Sequence, residues 1–189
     1  LRGAFQSILS ASTPEEALRG FDRFRILCAL REGPYGAGAV TGLVERTLTA
    51  EGLIRPRGPW YPGRPVLVTR NDHELQLFNG DVGVIWTLDG RTARAVFPGP
   101  EGTTRSIHPM RLPEHETAFA TTVHKSQGSE FDRVLLVLPD RSSPVLTREL
   151  LYTAVTRARR SVEIWGPEPV LRTAVSRRTR RSSGLEDAL

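Results

Sequence analysis

Lysine is almost missing from this chain. Of 26 basic residues in 189, only Lys125 is a lysine, and arginine supplies the rest. Cysteine is as scarce: the single Cys28 excludes an intrachain disulfide framework and fits a reducing, cytoplasmic setting. It sits in the apolar run Phe24-Arg25-Ile26-Leu27-Cys28-Ala29, where a small buried hydrophobe is expected. No apolar stretch approaches the roughly 18 residues of a membrane span, and no signal-peptide pattern is visible. The histidines His73, His108, His115 and His124 are scattered without ligand spacing, so no metal constellation is expected. No G-x-x-x-x-G-K-[ST] phosphate loop occurs either.

What is present points to a polyanionic partner. Net charge is +5 and the sequence pI is near 10.3. Hydrophobic residues at 39% suffice for a packed core. The chain opens at Leu1 rather than at methionine, which sets the expectation of a piece of a longer protein. The arginine bias makes individual arginines uninformative and singles out Lys125.

Patterning divides the chain. Thr13-Pro14-Glu15-Glu16 carries a capping residue, a first-turn proline and a glutamate three residues after the cap, which predicts a helix with Ala17, Leu18 and Phe21 inward. Residues 24–29 read as a buried strand and residues 40–50 as a second helix. Over residues 62–113 the texture changes to short strands at 66–68, 82–86, 93–97 and 103–107. Turn signals at Asn79-Gly80, Asp89-Gly90 and 98–102 separate them, which describes a small all-β insert. From residue 114 the α/β texture returns: strands at 118–123, 133–138 and 161–165, with a helix at 147–159 capped by Thr147. Residues 172–181 hold five arginines and no acid, expected as a helix end fraying into a basic tail over 173–189.

Two segments carry chemistry. Residues 121–131 (TTVHKSQGSEF) lie between two strands, where open sheets place ligands at the strands' carboxyl ends. Hydroxyls, an imidazole, an ammonium, an amide and a carboxylate beside Gly128 suit a phosphate backbone and a nucleotide sugar; the alternative is a solvated polar loop. In the second segment, helical counting from Leu150 puts Arg157 at the edge of the apolar stripe and Arg160 away from it. Such an arginine either neutralises a transferring phosphate or lays its stem over the core.

The wording "TVHKSQGSEFD", followed by "ELLYTAVTRAR", resembles motifs V and VI of superfamily 1 helicases, in the RecD branch. The likeness extends through "GRPVLVTRND", "LFNGDVGV", "RLPEHETAFA" and "RRSSGL", nearly the whole chain. The resemblance implies an α/β, RecA-like second motor domain, split into residues 1–61 and 114–172, with an SH3-like barrel inserted at residues 62–113. It implies the C-terminal motor half of an ATP-dependent 5′-to-3′ helicase, the alpha subunit of exodeoxyribonuclease V, acting in double-strand-break repair and recombination beside RecB-type and RecC-type subunits. Arg157 would be the arginine finger, Gln127, Gly128 and Glu130 would lie near ATP, and Thr122, His124 and Lys125 would face single-stranded DNA. Arg70, Asn71 and Asn79, around the first loop of the insert, would reach the same strand. ATP and Mg²⁺ would be held mainly by a motor domain outside this chain, leaving the chain inactive alone. Thr41 stands where relatives often carry asparagine and is assigned no role. A stand-alone RecD-like helicase, or a non-catalytic DNA-binding or subunit-docking module, remain as alternatives.

Overall fold

The computed structural model describes residues 2–88 and 92–178. The Asp89-Gly90 turn signal and the tail beyond Arg178 lie outside the described residues. The chain opens with α1 (Arg2–Leu9), which carries no capping signal and was not expected, and α2 (Pro14–Arg23). Thr13 caps α2 as its sequence predicts: its hydroxyl accepts the Glu16 N–H at 3.3 Å, while the Glu16 carboxylate accepts the Ser12 N–H at 2.9 Å. β1 (Phe24–Cys28) and α3 (Ala37–Ala50) follow, α3 starting three residues before the apolar periodicity suggests.

An antiparallel sheet comes next: β2 (Pro65–Val68), β3 (Val82–Leu88), β4 (Thr92–Pro98), β5 (Thr104–Ile107) and β6 (His115–Thr117), in spatial order β5-β4-β3-β2-β6. Period-two alternation explains how it packs. Ile85, Ala95 and Phe97 turn inward with Val66, Val68 and Leu77 to make a core of the sheet's own. Val84 and Val96, on the opposite face, join the core built around α2 and Phe21. The central strands β3 and β4 are thus buried on both faces and lie against α2. Gly83 is required there, because a Cβ would stand 2.7 Å from the Phe97 ring. Among the described residues no ladder joins β5 to β6, so the sheet is open in its hydrogen bonding.

The remaining elements are β7 (Ala120–Thr122), β8 (Phe131–Val137), α4 (Arg148–Val155), β9 (Ala158–Trp165) and α5 (Glu168–Ser176). With β1 they form a parallel sheet in the order β7-β1-β8-β9, the architecture of an α/β fold. Ile26, Cys28, Leu135 and Val137 face the core under α1, α2 and α3; Leu27, Val134 and Leu136 face α4 and α5. The strand expected at 118–123 is the shorter β7, which pairs parallel to β1, and the unexpected β6 just before it pairs antiparallel to β2 in the other sheet.

Candidate nucleotide and nucleic-acid interface

β1 lies between β7 and β8, which fixes the course of the segment joining them. Thr122, Cys28 and Val137 stand level at the carboxyl ends, whereas Phe131 stands level with Ala158 at the amino ends. Residues 123–130 therefore cross the whole sheet, and only their first half lies at the carboxyl ends where the sequence had suggested the entire segment would be. The reason is geometric: β8 runs parallel to β7, so the connection must return the sheet's full length before β8 begins.

Local hydrogen bonds fix this crossing. The Lys125 N–H donates to the Thr122 hydroxyl at 3.3 Å, and the Ser126 hydroxyl donates to the Val123 carbonyl at 2.7 Å, closing a 3-10 turn at His124–Ser126. Gly128, at φ +84°, reverses the chain, and the Ser129 N–H returns to the Ser126 carbonyl at 3.0 Å. Thr122 and Ser126 are buried in this scaffold; His124, Gln127, Gly128 and Glu130 are exposed.

Arg157 meets the far end of the crossing. Thr147 caps α4, accepting the Leu150 N–H at 3.3 Å, and α4 ends at Val155 rather than near residue 159. Arg159 and Arg160 accordingly lie in β9, so helical counting does not apply to them. The Arg157 side chain folds back over the helix end: Nε donates to the Thr153 carbonyl at 3.2 Å and Nη2 to the Thr156 hydroxyl at 3.4 Å. Nη1 donates to the Ser129 carbonyl at 3.1 Å, and the Phe131 N–H donates to the Arg157 carbonyl at 2.7 Å. A cation is favoured at a helix C-terminus, and neutral oxygens hold its planar fork of donors. Such a fork fits a phosphate, which offers stronger, charged acceptors to the same N–H groups. Glu130 is already committed to Arg159 by a 3.1 Å ion pair.

Lys125 meets the antiparallel sheet. Its ammonium pairs with Glu116 of β6 at 2.7 Å, which ties the crossing to the antiparallel sheet. Lys125 also lines a cavity of about 820 Å³ with Arg31, Thr69, Asn79 and His115. The structure therefore brings Asn79 near Lys125, although the two are far apart in sequence. Arg70 forms an exposed 3.4 Å pair with Glu114, and Asn71 Oδ1 accepts the Asn79 N–H at 2.8 Å, so Asn71 holds the loop's shape.

Between these ends lies a residue the sequence reading passed over. Arg25 is 3% exposed, its Nη1 donating to the Ala118 carbonyl at 3.4 Å and its guanidinium over the Phe131 ring at 4.9 Å. Its Nε has no partner. Burial pulls its pKa down to about 10 and Asp22 partly offsets that; burial likewise raises the Asp22 carboxyl. The signal was available, since β1 alternates and Arg25 shares a face with Leu27. Glu116 was also missed, because nothing local marks a carboxylate that will meet a lysine from another sheet. Among the described residues no cluster of three or more His, Cys, Asp or Glu could hold a metal ion, and no helix is long and apolar enough to cross a membrane.

The UvrD-like helicase C-terminal domain matches residues 117–164, which include the crossing, α4 and most of β9. A RecBCD enzyme subunit RecD of Mycobacterium tuberculosis is 47% identical over 180 residues, 95% of this chain and 30% of that protein. Its counterpart in Mycolicibacterium smegmatis is 47% identical over 92% of this chain and 30% of that protein. A Bacteroides Pif1 helicase, solved with ADP-AlF3 and ssDNA, aligns at a TM-score of 0.48 and 17% identity, covering 85% of this chain and 44% of that one. The chain spans about 30% of the length of the curated relatives it matches. Over the segment it spans, the chain is a RecD-family sequence that carries a UvrD-like helicase C-terminal domain.

Proposed function

We propose that this chain is the C-terminal motor half of an ATP-dependent 5′-to-3′ DNA helicase subunit, working in a RecBCD-type complex in double-strand-break repair and recombination. In this reading residues 1–61 and 114–172 are the RecA-like second motor domain, and residues 62–113 are an SH3-like insert. Four short antiparallel strands within those bounds, around their own core, support an insert of that kind, and the fifth strand of the sheet, β6, lies just past the boundary at His115–Thr117. The name of the relatives supports partner subunits of the RecB and RecC type, and a cytoplasmic location follows from such a role.

The observation that carries the proposal is the bond from Arg157 to Ser129. It joins the turn after α4 to the crossing segment, and those two segments hold the residues assigned to the nucleotide. Arg157 is the arginine finger: on ATP binding it exchanges neutral oxygens for the γ-phosphate and stabilises charge as that group transfers. Gln127, Gly128 and Glu130 border the same nucleotide. His124 and Lys125 face single-stranded DNA, the buried Thr122 serves that side by accepting the Lys125 N–H, and Arg70, Asn71 and Asn79 of the insert lie on the same strand's path. ATP supplies the phosphoryl group and Mg²⁺ the charge neutralisation; both are held mainly by residues of the longer protein, since no G-x-x-x-x-G-K-[ST] loop occurs in this chain. Purified full-length protein should show DNA-stimulated ATPase, and the isolated chain none. Hydrolysis by the isolated chain, abolished by Arg157→Ala, would overturn the assignment.

A further inference from the structure

The loop between β2 and β3 is held by more bonds than a connecting loop needs. Asp72 and Leu77 exchange backbone hydrogen bonds at 2.7 and 2.9 Å, and the Asp72 carboxylate accepts the Leu75 N–H at 2.9 Å. Arg105 of β5 donates to the carbonyls of Leu75 and Gln76 at 3.1 Å each. Leu77 is fully buried in the sheet's core and Gln76 takes a left-handed φ of 51° to deliver it there. Phe78 follows at once and is 45% exposed. Its N–H donates to Asp81 at 2.8 Å, and its ring meets His73 edge to face at 5.9 Å. The ring cannot collapse onto the core, because Leu77 already fills that position.

We propose that Phe78, braced by His73, is a platform on which an unpaired nucleobase of the bound strand stacks. The surroundings favour a base over a protein partner. A docking patch needs contiguous apolar surface, whereas the other exposed side chains of this loop are polar or charged: Arg70, Asn71, His73, Glu74, Gln76 and Asn79. An exposed aromatic ring on a loop that also carries a cation and amides is the chemistry of single-strand recognition, in which the ring takes the base and the cation the phosphate. The position is continuous with the strand's other contacts, since Asn79 lines the same cavity as Lys125. Rigidity matters as well: a ring already fixed loses little freedom when a base settles on it. The inference rests on the single-stranded DNA reading proposed above and adds to it a base contact that Lys125 does not provide.

The test uses full-length protein and oligothymidylates carrying one 2-aminopurine, or one abasic residue, at successive positions. At one position 2-aminopurine emission should be quenched on binding, and an abasic residue there should weaken wild-type binding. Phe78→Ala and Phe78→Leu should abolish both effects and lower affinity about 5- to 150-fold, as loss of one stacked base implies, with the salt slope unchanged. Phe78→Trp should keep both. If the oligonucleotide binds with strong salt dependence but no position is quenched, or if Phe78→Leu matches wild type, the platform is wrong while the DNA reading stands. If wild type does not bind the oligonucleotide, both fail. Loss of a partner subunit on Phe78→Ala, with quenching retained, would likewise overturn the platform.

Discussion

Replacing Arg157 with alanine in the full-length protein separates the proposed catalytic role of this residue from its structural one. Three side-chain hydrogen bonds disappear, to Thr153, Thr156 and Ser129. Two of them are internal to the helix end, and only the bond to Ser129 joins separate segments. The backbone bond from Phe131 to the Arg157 carbonyl survives the substitution and keeps the crossing in place. A net hydrogen bond contributes about 1 kcal/mol, and solvent competes for these, so the loss of stability should be about 1–2 kcal/mol. An arginine finger is worth about 10³ to 10⁵ in turnover, or about 4–7 kcal/mol of barrier, well beyond that structural effect. DNA-stimulated ATPase should therefore nearly vanish in a protein that still folds and binds DNA. Arg157→Lys should rescue little, because an ammonium cannot span the sites a guanidinium fork reaches. Arg159→Ala is the control: its pair with Glu130 is more than half exposed on both sides and should contribute less than about 1 kcal/mol. If Arg157→Ala and Arg159→Ala lower turnover equally, the finger assignment is refuted.

Other outcomes follow from the same geometry. Lys125→Ala should weaken binding to all single-stranded sequences and flatten the salt dependence by about 0.7 in logarithmic slope, one phosphate's worth; an unchanged slope would mean that Lys125 stays with Glu116 when DNA binds. Cys28 is buried and its thiol is pushed up to about 12, so maleimide labelling at neutral pH should track unfolding, and rapid labelling of native protein would contradict its placement. Arg25→Met should keep or raise the thermal midpoint, because it replaces a buried cation with an unpartnered Nε by an apolar side chain of similar length, whereas Arg25→Ala should lower it.

The parts of the fold legible in the sequence are those with a short-range physical cause. Thr13 and Thr147 cap the helices they announce because a cap depends on neighbours three residues away. Short apolar runs bounded by the turn signals at Asn79-Gly80 and 98–102 mark the strands of the insert for the same local reason. What was not legible depends on distant partners. β6 carries no strand signal of its own, and only its pairing with β2 makes it one. α4 seemed longer because Ala158 continues its apolar spacing, yet the turn stabilised by Arg157 ends the helix first. At the site, Lys125 stood out against the arginines, but its partner Glu116 did not. Phe78 lies in a run whose other large apolar residues, Leu75 and Leu77, turn inward, so its exposure is a property of the folded loop.

The most direct measurement is unwinding by the full-length protein of duplexes that carry a single-stranded tail at one end. The account predicts ATP-dependent unwinding of 5′-tailed substrates, none of 3′-tailed ones, and loss of activity in Arg157→Ala. Unwinding only from 3′ tails would contradict the proposed direction, and unwinding that survives Arg157→Ala would contradict the role of the segment where the turn after α4 meets the crossing.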